Sequence, residues 1–386
     1  MMILSNRSSQ FTDSVIRRMT RISDSAGAIN LAQGFPDFDP PKEMLQRLSE
    51  VAMEGPHQYS VTWGAANFRE ALAKKQSHFM NMEIDPEKEI VVTCGSTEAM
   101  MASMLAVTNP GDKVVVFSPF YENYSADAIL AGAEPIYVSL KEPEFSFDPN
   151  ELEEAFALKP KALILCNPSN PSGKVFTKEE LQTIADLAVK YDVFVITDEV
   201  YEHILYAPHK HVYIASMPGM RERTISCGSL SKTYSITGWR LGYVIAAPYI
   251  IEKIRNVHDF LTVGAPAPLQ EAAVAGLEFG WDYYEKLAED YRRKKDLLLQ
   301  GLSSLKISHT DPQGAYYVLL DISSFGYESD YEFCKDLTTK IGVAAVPGSS
   351  FFRENIQKYA RIHFAKKDST LIRVLERLEG INRLKK

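Results

Sequence analysis

The chain has 386 residues, 45% of them hydrophobic, which is enough apolar material for a large core spread over two or three domains. A formal net charge of −8 argues against a nucleic-acid partner, and no apolar run reaches the length of a membrane span. The four cysteines (Cys94, Cys166, Cys227 and Cys334) form no CxxC pair, and MMILSNRSSQ at the start lacks an apolar signal stretch, so a cytoplasmic protein without zinc or disulfides is expected.

The middle of the chain alternates short β-rich runs with amphipathic helical stretches. Strand-like runs fall at 90–94, 113–117, 161–166, 193–197, 224–228 and 241–246. Helical patterns lie between them, at 97–107 and at 177–190. The second has Thr177 placed as N-cap and Glu180 three residues on, the spacing of a capping box. Strands that are apolar throughout and joined by helices predict a buried, mainly parallel sheet covered on both faces. Such sheets bind ligands outside the carboxyl ends of their strands. Beyond residue 248 the pattern changes to helical stretches at 249–260 and 267–302. A smaller α+β unit follows, with strand-like runs at 314–320 and 360–364 and a last helix at 369–384. The expected division is a segment 1–45 belonging to the smaller domain, a large domain 46–285, and the small domain proper at 286–386, with the bend inside the long helix near 280–300.

The chemistry-bearing residues cluster at the ends of those runs. Cys94-Gly95-Ser96-Thr97 is a strand-to-helix turn whose free amides and hydroxyls suit a phosphate. Tyr121, after the run at 113–117, offers a flat face for a ring. Asn167-Pro168-Ser169-Asn170-Pro171-Ser172-Gly173 is a rigid turn that fixes the amide of Asn170. Asp198 closes a strand, and Tyr201 follows it by three residues; a carboxylate there keeps a ring nitrogen protonated. Ser229-Leu230-Ser231-Lys232, with Arg240 eight positions beyond the lysine, combines hydroxyls, a bidentate cation and an amine able to capture an aldehyde. Together these describe a holder for pyridoxal phosphate (PLP). His209 and His211 read as a solvated loop. No GxSxG elbow, GxGxxG or GxxxxGK[ST] occurs.

In order and spacing these stretches resemble the fold-type I PLP transferases, specifically the class I/II aminotransferases of the kynurenine/methionine/aromatic branch, from about Ile29 to the C-terminus. The resemblance implies an α/β fold, with a mainly parallel sheet in the large domain and a smaller α+β domain. It implies that Lys232 carries the cofactor covalently, that Asp198 pairs with its pyridine nitrogen, and that Asn170 and Tyr201 contact its phenolic oxygen. Tyr121 is similar to the ring-stacking aromatic, and Ser96, Thr97, Ser229, Ser231 and Arg240 lie where the family holds the phosphate. Which of the two serines touches it is left open. Gly34, in Asn30-Leu31-Ala32-Gln33-Gly34-Phe35-Pro36, resembles the glycine that meets the substrate carboxylate, and Arg361 the arginine that clamps it. Tyr59 is similar to a tyrosine that reaches the neighbouring subunit's phosphate, implying a homodimer with shared active sites.

The resemblance implies ping-pong transfer of an amino group from an L-amino acid to a 2-oxo acid, with no membrane or nucleic-acid partner. Neutral or aromatic donors are favoured, because neither Thr97 nor the loop 261–268 supplies a second cation for a distal carboxylate. Two alternatives stay open: a PLP carbon–sulfur β-lyase, and an aspartate-type enzyme using a mobile arginine such as Arg17, Arg18 or Arg21.

Overall fold

A computed structural model describes residues 5–6, 10–11 and 13–386. A short strand β1 (Ile29–Asn30) precedes the main sheet, whose strands in chain order are β2 (Ile90–Thr93), β3 (Lys113–Ser118), β4 (Glu134–Lys141), β5 (Ser146–Phe147), β6 (Ala162–Cys166), β7 (Phe194–Asp198), β8 (Thr224–Ser229) and β9 (Gly242–Ala246). Their order across the sheet is β2-β9-β8-β7-β6-β3-β4-β5. From β8 through to β4 neighbouring strands run parallel, while β9 is antiparallel to both β8 and β2, and β5 to β4. The parallel centre follows from residue type: Val114, Val115, Val116, Leu163, Ile164, Val195 and Ile196 are buried, so these strands are apolar on both faces.

Register then decides where the site lies. Cys166 pairs with Asp198 and Asp198 with Cys227, while Ser229 and Thr93 both pair with Gly242. The reversed β9 therefore brings Arg240, just before its first residue, to the edge where β2, β6, β7 and β8 end.

A smaller sheet has the order β10-β13-β12, from β10 (Tyr317–Asp321), β12 (Val346–Pro347) and β13 (Tyr359–His363), all antiparallel. Strand β11 (Val343–Ala344) pairs in parallel with β1. We propose the division 1–45, 46–285 and 286–386, supported at its first boundary by that β1–β11 pairing. Among the described residues no helix is long and apolar enough to cross a membrane.

Several elements differ from the sequence expectation. Strand β4 is not apolar throughout, because it lies toward the sheet's edge and only Val138 and Leu140 in it are buried; it and β5 show no unbroken apolar run in the sequence. The stretch 267–302 is two helices, Ala267–Leu277 and Asp282–Ser304. Gly280 is a poor helix former, and Trp281 stacks on His78 at 3.9 Å, a tertiary contact that bends the chain. The last helix ends at Leu378, before Gly380, and a 3₁₀ turn Ile381–Leu384 follows. Finally, His211 is not solvated: its ring packs edge-on to Tyr213 at 4.3 Å, with Nε2 3.8 Å from Glu199.

Candidate active site

A cavity of about 820 Å³ opens at the carboxyl ends of β6, β7 and β8. It is lined by residues from both units, among them Gly34, Ser96, Thr97, Tyr121, Asn170, Asp198, Tyr201, Ser231, Lys232, Arg240 and Arg361.

Lys232 belongs to a single helical turn, Leu230–Thr233, that starts directly at the end of β8. Its Nζ donates to the carbonyl of Gly34 (3.1 Å) and sits 5.9 Å from the centre of the Tyr316 ring. Burial lowers its pKa to about 8; Asp198 opposes the shift, and Arg240 and Arg361 add to it. A lysine so placed is neutral far more often than a surface one. The Gly34 carbonyl also accepts from Tyr316 Oη (2.9 Å). A side chain at position 34 would overlap the Tyr317 hydroxyl, so the close approach of this segment requires glycine.

Asp198 ends β7 and is buried. Burial raises its pKa, while a hydrogen bond from Tyr124 Oη to Oδ2 (2.7 Å) and the charge of Lys232 pull the other way. Behind it, burial and the neighbouring Asp198 push Asp127 up to about 7. Tyr201 Oη lies 2.8 Å from Tyr317 Oη, and its ring meets that of Tyr316 edge-on at 5.2 Å. Tyr121 lies in the turn before the helix Asn123–Leu130, its ring edge-on to Tyr124 at 5.8 Å.

Arg361, on β13, is 1% exposed. Its Nη1 donates to Asn170 Oδ1 (2.7 Å) and Nη2 to the carbonyl of Ala32 (2.7 Å), with the Tyr317 and Phe351 rings 4.3 and 4.5 Å away. Its Nε is buried without a partner. Among the described residues no carboxylate lies within ion-pair distance of it, so this buried cation is set up to receive one.

At the other end of the cavity, Ser96 and Thr97 begin the helix Ser96–Val107. Gly95 has φ +81°, and a Cβ there would overlap the guanidinium of Arg240, which lies directly against the turn. Arg240 donates to the carbonyls of Thr237 (3.0 Å) and Cys94 (3.4 Å), and among the described residues no carboxylate pairs with it. The Ser231 hydroxyl is buried and has no partner. Ser229 is engaged: its Oγ donates to the Leu241 carbonyl (2.9 Å) and accepts from the Ser231 N–H (3.0 Å), capping the Lys232 turn. Tyr59 is not brought in by this chain; it is 85% exposed and outside the cavity.

Residues 26–378 match the family model of aminotransferase class I and II. The chain belongs to that family. It is 35% identical to methionine aminotransferase of Escherichia coli strain K12 over 96% of this chain and 97% of that one, and 36% identical to kynurenine–oxoglutarate transaminase 3 of Mus musculus over 91% and 84%. N-succinyldiaminopimelate aminotransferase of Mycobacterium tuberculosis superimposes with a TM-score of 0.95 at 34% identity, over 98% of this chain and all of that one.

The chain is thus a PLP-dependent aminotransferase. Its residues suit that cofactor on physical grounds. The unpartnered Ser231 hydroxyl, the Arg240 guanidinium held by two carbonyls alone and the helix start at Ser96 have the donors that an anion cup needs. A buried carboxylate and an amine of lowered pKa lie beyond it in the same cavity.

Sequence reasoning missed Tyr124, which holds Asp198, and Tyr316 and Tyr317, which hold Gly34 and Tyr201. Tyr124 lies in the first turn of the helix Asn123–Leu130, three residues after Tyr121, and nothing in that spacing points it at Asp198. The other two come from a distant strand region and had no local signal either.

Proposed function

We propose that this aminotransferase moves the amino group of a neutral or aromatic L-amino acid to a 2-oxo acid by a ping-pong cycle. The observation that carries the reading is the convergence of Lys232, Asp198 and the uncompensated Arg361 on one cavity. PLP, when bound, supplies the aldehyde that a lysine captures and an electron-accepting ring.

Ser96, Thr97, Ser231 and Arg240 would hold its phosphate, joined by Ser229 once its hydrogen turns from the Leu241 carbonyl. Asp198 would face the ring nitrogen, braced by Tyr124; Asn170 and Tyr201 would reach the phenolic oxygen; Tyr121 would cover the ring. Lys232, with its lowered pKa, would take the proton from the substrate α-carbon on Nζ. Arg361 would grip the substrate α-carboxylate bidentately, with Gly34 lining the same cavity.

Tyr59 is the residue we assign to a second copy of the chain. It is exposed together with Val61, Phe260, Leu261 and Val263, and Thr62 sits against His258 at the end of the helix that carries Phe260. That apolar surface supports a homodimer with shared sites. Free thiols at Cys94, Cys166, Cys227 and Cys334 support a cytoplasmic setting.

Among the described lining residues, Leu261 and Thr262 end the helix Pro248–Thr262, where the sequence suggested a loop, and neither is cationic, which supports neutral or aromatic donors. The names of the methionine and kynurenine relatives agree. A second reading is favoured by Arg17, which is exposed at the cavity mouth and could meet a distal carboxylate, as the succinylated substrate in the mycobacterial relative's name would require. Arg18 does not line the cavity, and Arg21 pairs with Asp13. A panel of amino acids with 2-oxoglutarate and pyruvate tests the reading. Pyridoxamine phosphate must accumulate with the donor alone; pyruvate and thiol release without it would make the enzyme a β-lyase.

A further inference from the structure

Glu98 lines the same cavity, two residues after Ser96 on the helix that starts the anion cup. Its Oε2 accepts from the Cys94 N–H (2.5 Å), bracing the turn, and its Oε1 accepts from Thr262 Oγ1 (2.6 Å). A carboxylate here also repels the anion that the cup is shaped to hold. His258 answers that charge. It is fully buried on the helix Pro248–Thr262, with Nδ1 2.7 Å from Glu98 Oε1 and Nε2 2.8 Å from the Thr62 carbonyl.

The proton count follows from the partners. A carbonyl only accepts, so Nε2 carries hydrogen. Glu98 accepts from the Cys94 N–H and from Thr262, bonds that favour its ionised form, and opposite an ionised Oε1 the His258 Nδ1 carries the second hydrogen, which makes the ring an imidazolium. Burial opposes that state, but the Glu98 hydrogen bond and charge, with Asp259 nearby, hold His258 above the usual histidine range. Burial likewise opposes the ionised Glu98, and the bonds from His258, Thr262 and the Cys94 N–H hold it below the carboxylate range. The remaining titratable groups at this corner are the Cys94 thiol, pushed up by burial and Glu98, and Arg240 across the turn.

We propose that His258 is a positioning residue that cancels the Glu98 charge beside the phosphate cup, so that Glu98 can brace the Cys94–Ser96 turn without repelling the cofactor phosphate. The inference rests on the reading of Ser96, Thr97, Ser231 and Arg240 as phosphate holders.

The test is the affinity of the cofactor-free protein for PLP and for pyridoxal, which lacks the phosphate, measured by absorbance titration. Wild type binds PLP more tightly than pyridoxal. In His258→Gln the Glu98 charge is uncovered, so the PLP-to-pyridoxal ratio falls by about tenfold or more while pyridoxal affinity stays put. Glu98→Gln/His258→Gln removes both charges and recovers most of the ratio. An unchanged ratio in His258→Gln, an equal loss for both ligands, or a double variant worse than the single overturns the proposal. A wild type that does not prefer PLP removes the cup reading itself, and this proposal with it. If His258→Gln does not fold, Glu98→Gln alone decides: a kept or raised ratio supports the proposal, and a tenfold fall refutes it.

Discussion

Replacing Arg361 with lysine keeps the positive charge and removes the fork. In the structure the guanidinium spends Nη1 on Asn170 and Nη2 on the Ala32 carbonyl, both at 2.7 Å, within two aromatic rings. The rest of its five N–H groups remain for a substrate carboxylate. A lysine has three donors, and holding Asn170 and Ala32 leaves one. The substrate then loses one or two charge-assisted hydrogen bonds, each worth roughly 1.5–3 kcal/mol. A loss of about 3 kcal/mol corresponds to roughly 150-fold in kcat/KM. Because the carboxylate is gripped equally before and during the reaction, the loss should appear mainly in KM. The same clamp serves donor and acceptor, so kcat/KM for the amino acid and for the oxo acid should fall together. Single-turnover measurements of each half-reaction, with the holoenzyme spectrum as a check on cofactor loading, read this out. A drop below about fivefold in either half-reaction refutes Arg361 as the carboxylate clamp.

Borohydride treatment of the yellow holoenzyme should label Lys232 and no other lysine, and Lys232→Ala should lose turnover by orders of magnitude. Reaction of the cofactor-free protein with PLP should speed up as pH rises through about 8 and then level off, because burial has lowered the Lys232 ammonium to that value and the neutral amine dominates above it. A rate still climbing at the ordinary lysine value of 10.5 refutes the burial argument. Asp198→Asn should cut kcat by about 100-fold or more, since an uncompensated buried partner costs several kcal/mol. Its folded pKa is raised, so the ionised carboxylate costs stability at neutral pH, and the cofactor-free variant should melt at the same temperature or higher. A large fall in melting temperature would give Asp198 a structural role instead. Methionine and phenylalanine should exceed aspartate as donors by at least ~30-fold in kcat/KM, the scale of stripping water from an unpaired carboxylate. Arg17→Ala should leave neutral donors untouched and lower any activity toward acidic ones; no change with acidic donors refutes the second reading.

The strand ends carrying Asp198, Asn170 and Lys232 were readable from sequence because each lies in a contiguous run whose residue types already state the local geometry. An apolar stretch that stops at an aspartate, or a serine-lysine turn after a strand, needs no distant information. The parallel core was readable for the same reason, since strands buried on both faces show unbroken Val, Ile and Leu. Where burial is partial, as at β4, that signal fades and the strand was missed. The single helix expected across 267–302 failed because helical periodicity does not record the packing of Trp281 on His78. Nothing local distinguishes Ser229 from Ser231 either. One hydroxyl is consumed by the Leu241 carbonyl and the other is left without a partner only because β9 lies against β8 in that register. The hydrogen bonds of Arg361 to Asn170 and Ala32, the grip of Tyr124 on Asp198, and the contact of His258 with Glu98 all depend on groups that the chain order keeps far apart. Sequence determined which groups this protein possesses and which sheet edge they reach. Tertiary packing decided which of them are dry, paired or left with an open valence, because desolvation and hydrogen-bond competition are properties of the assembled surroundings and not of any residue alone.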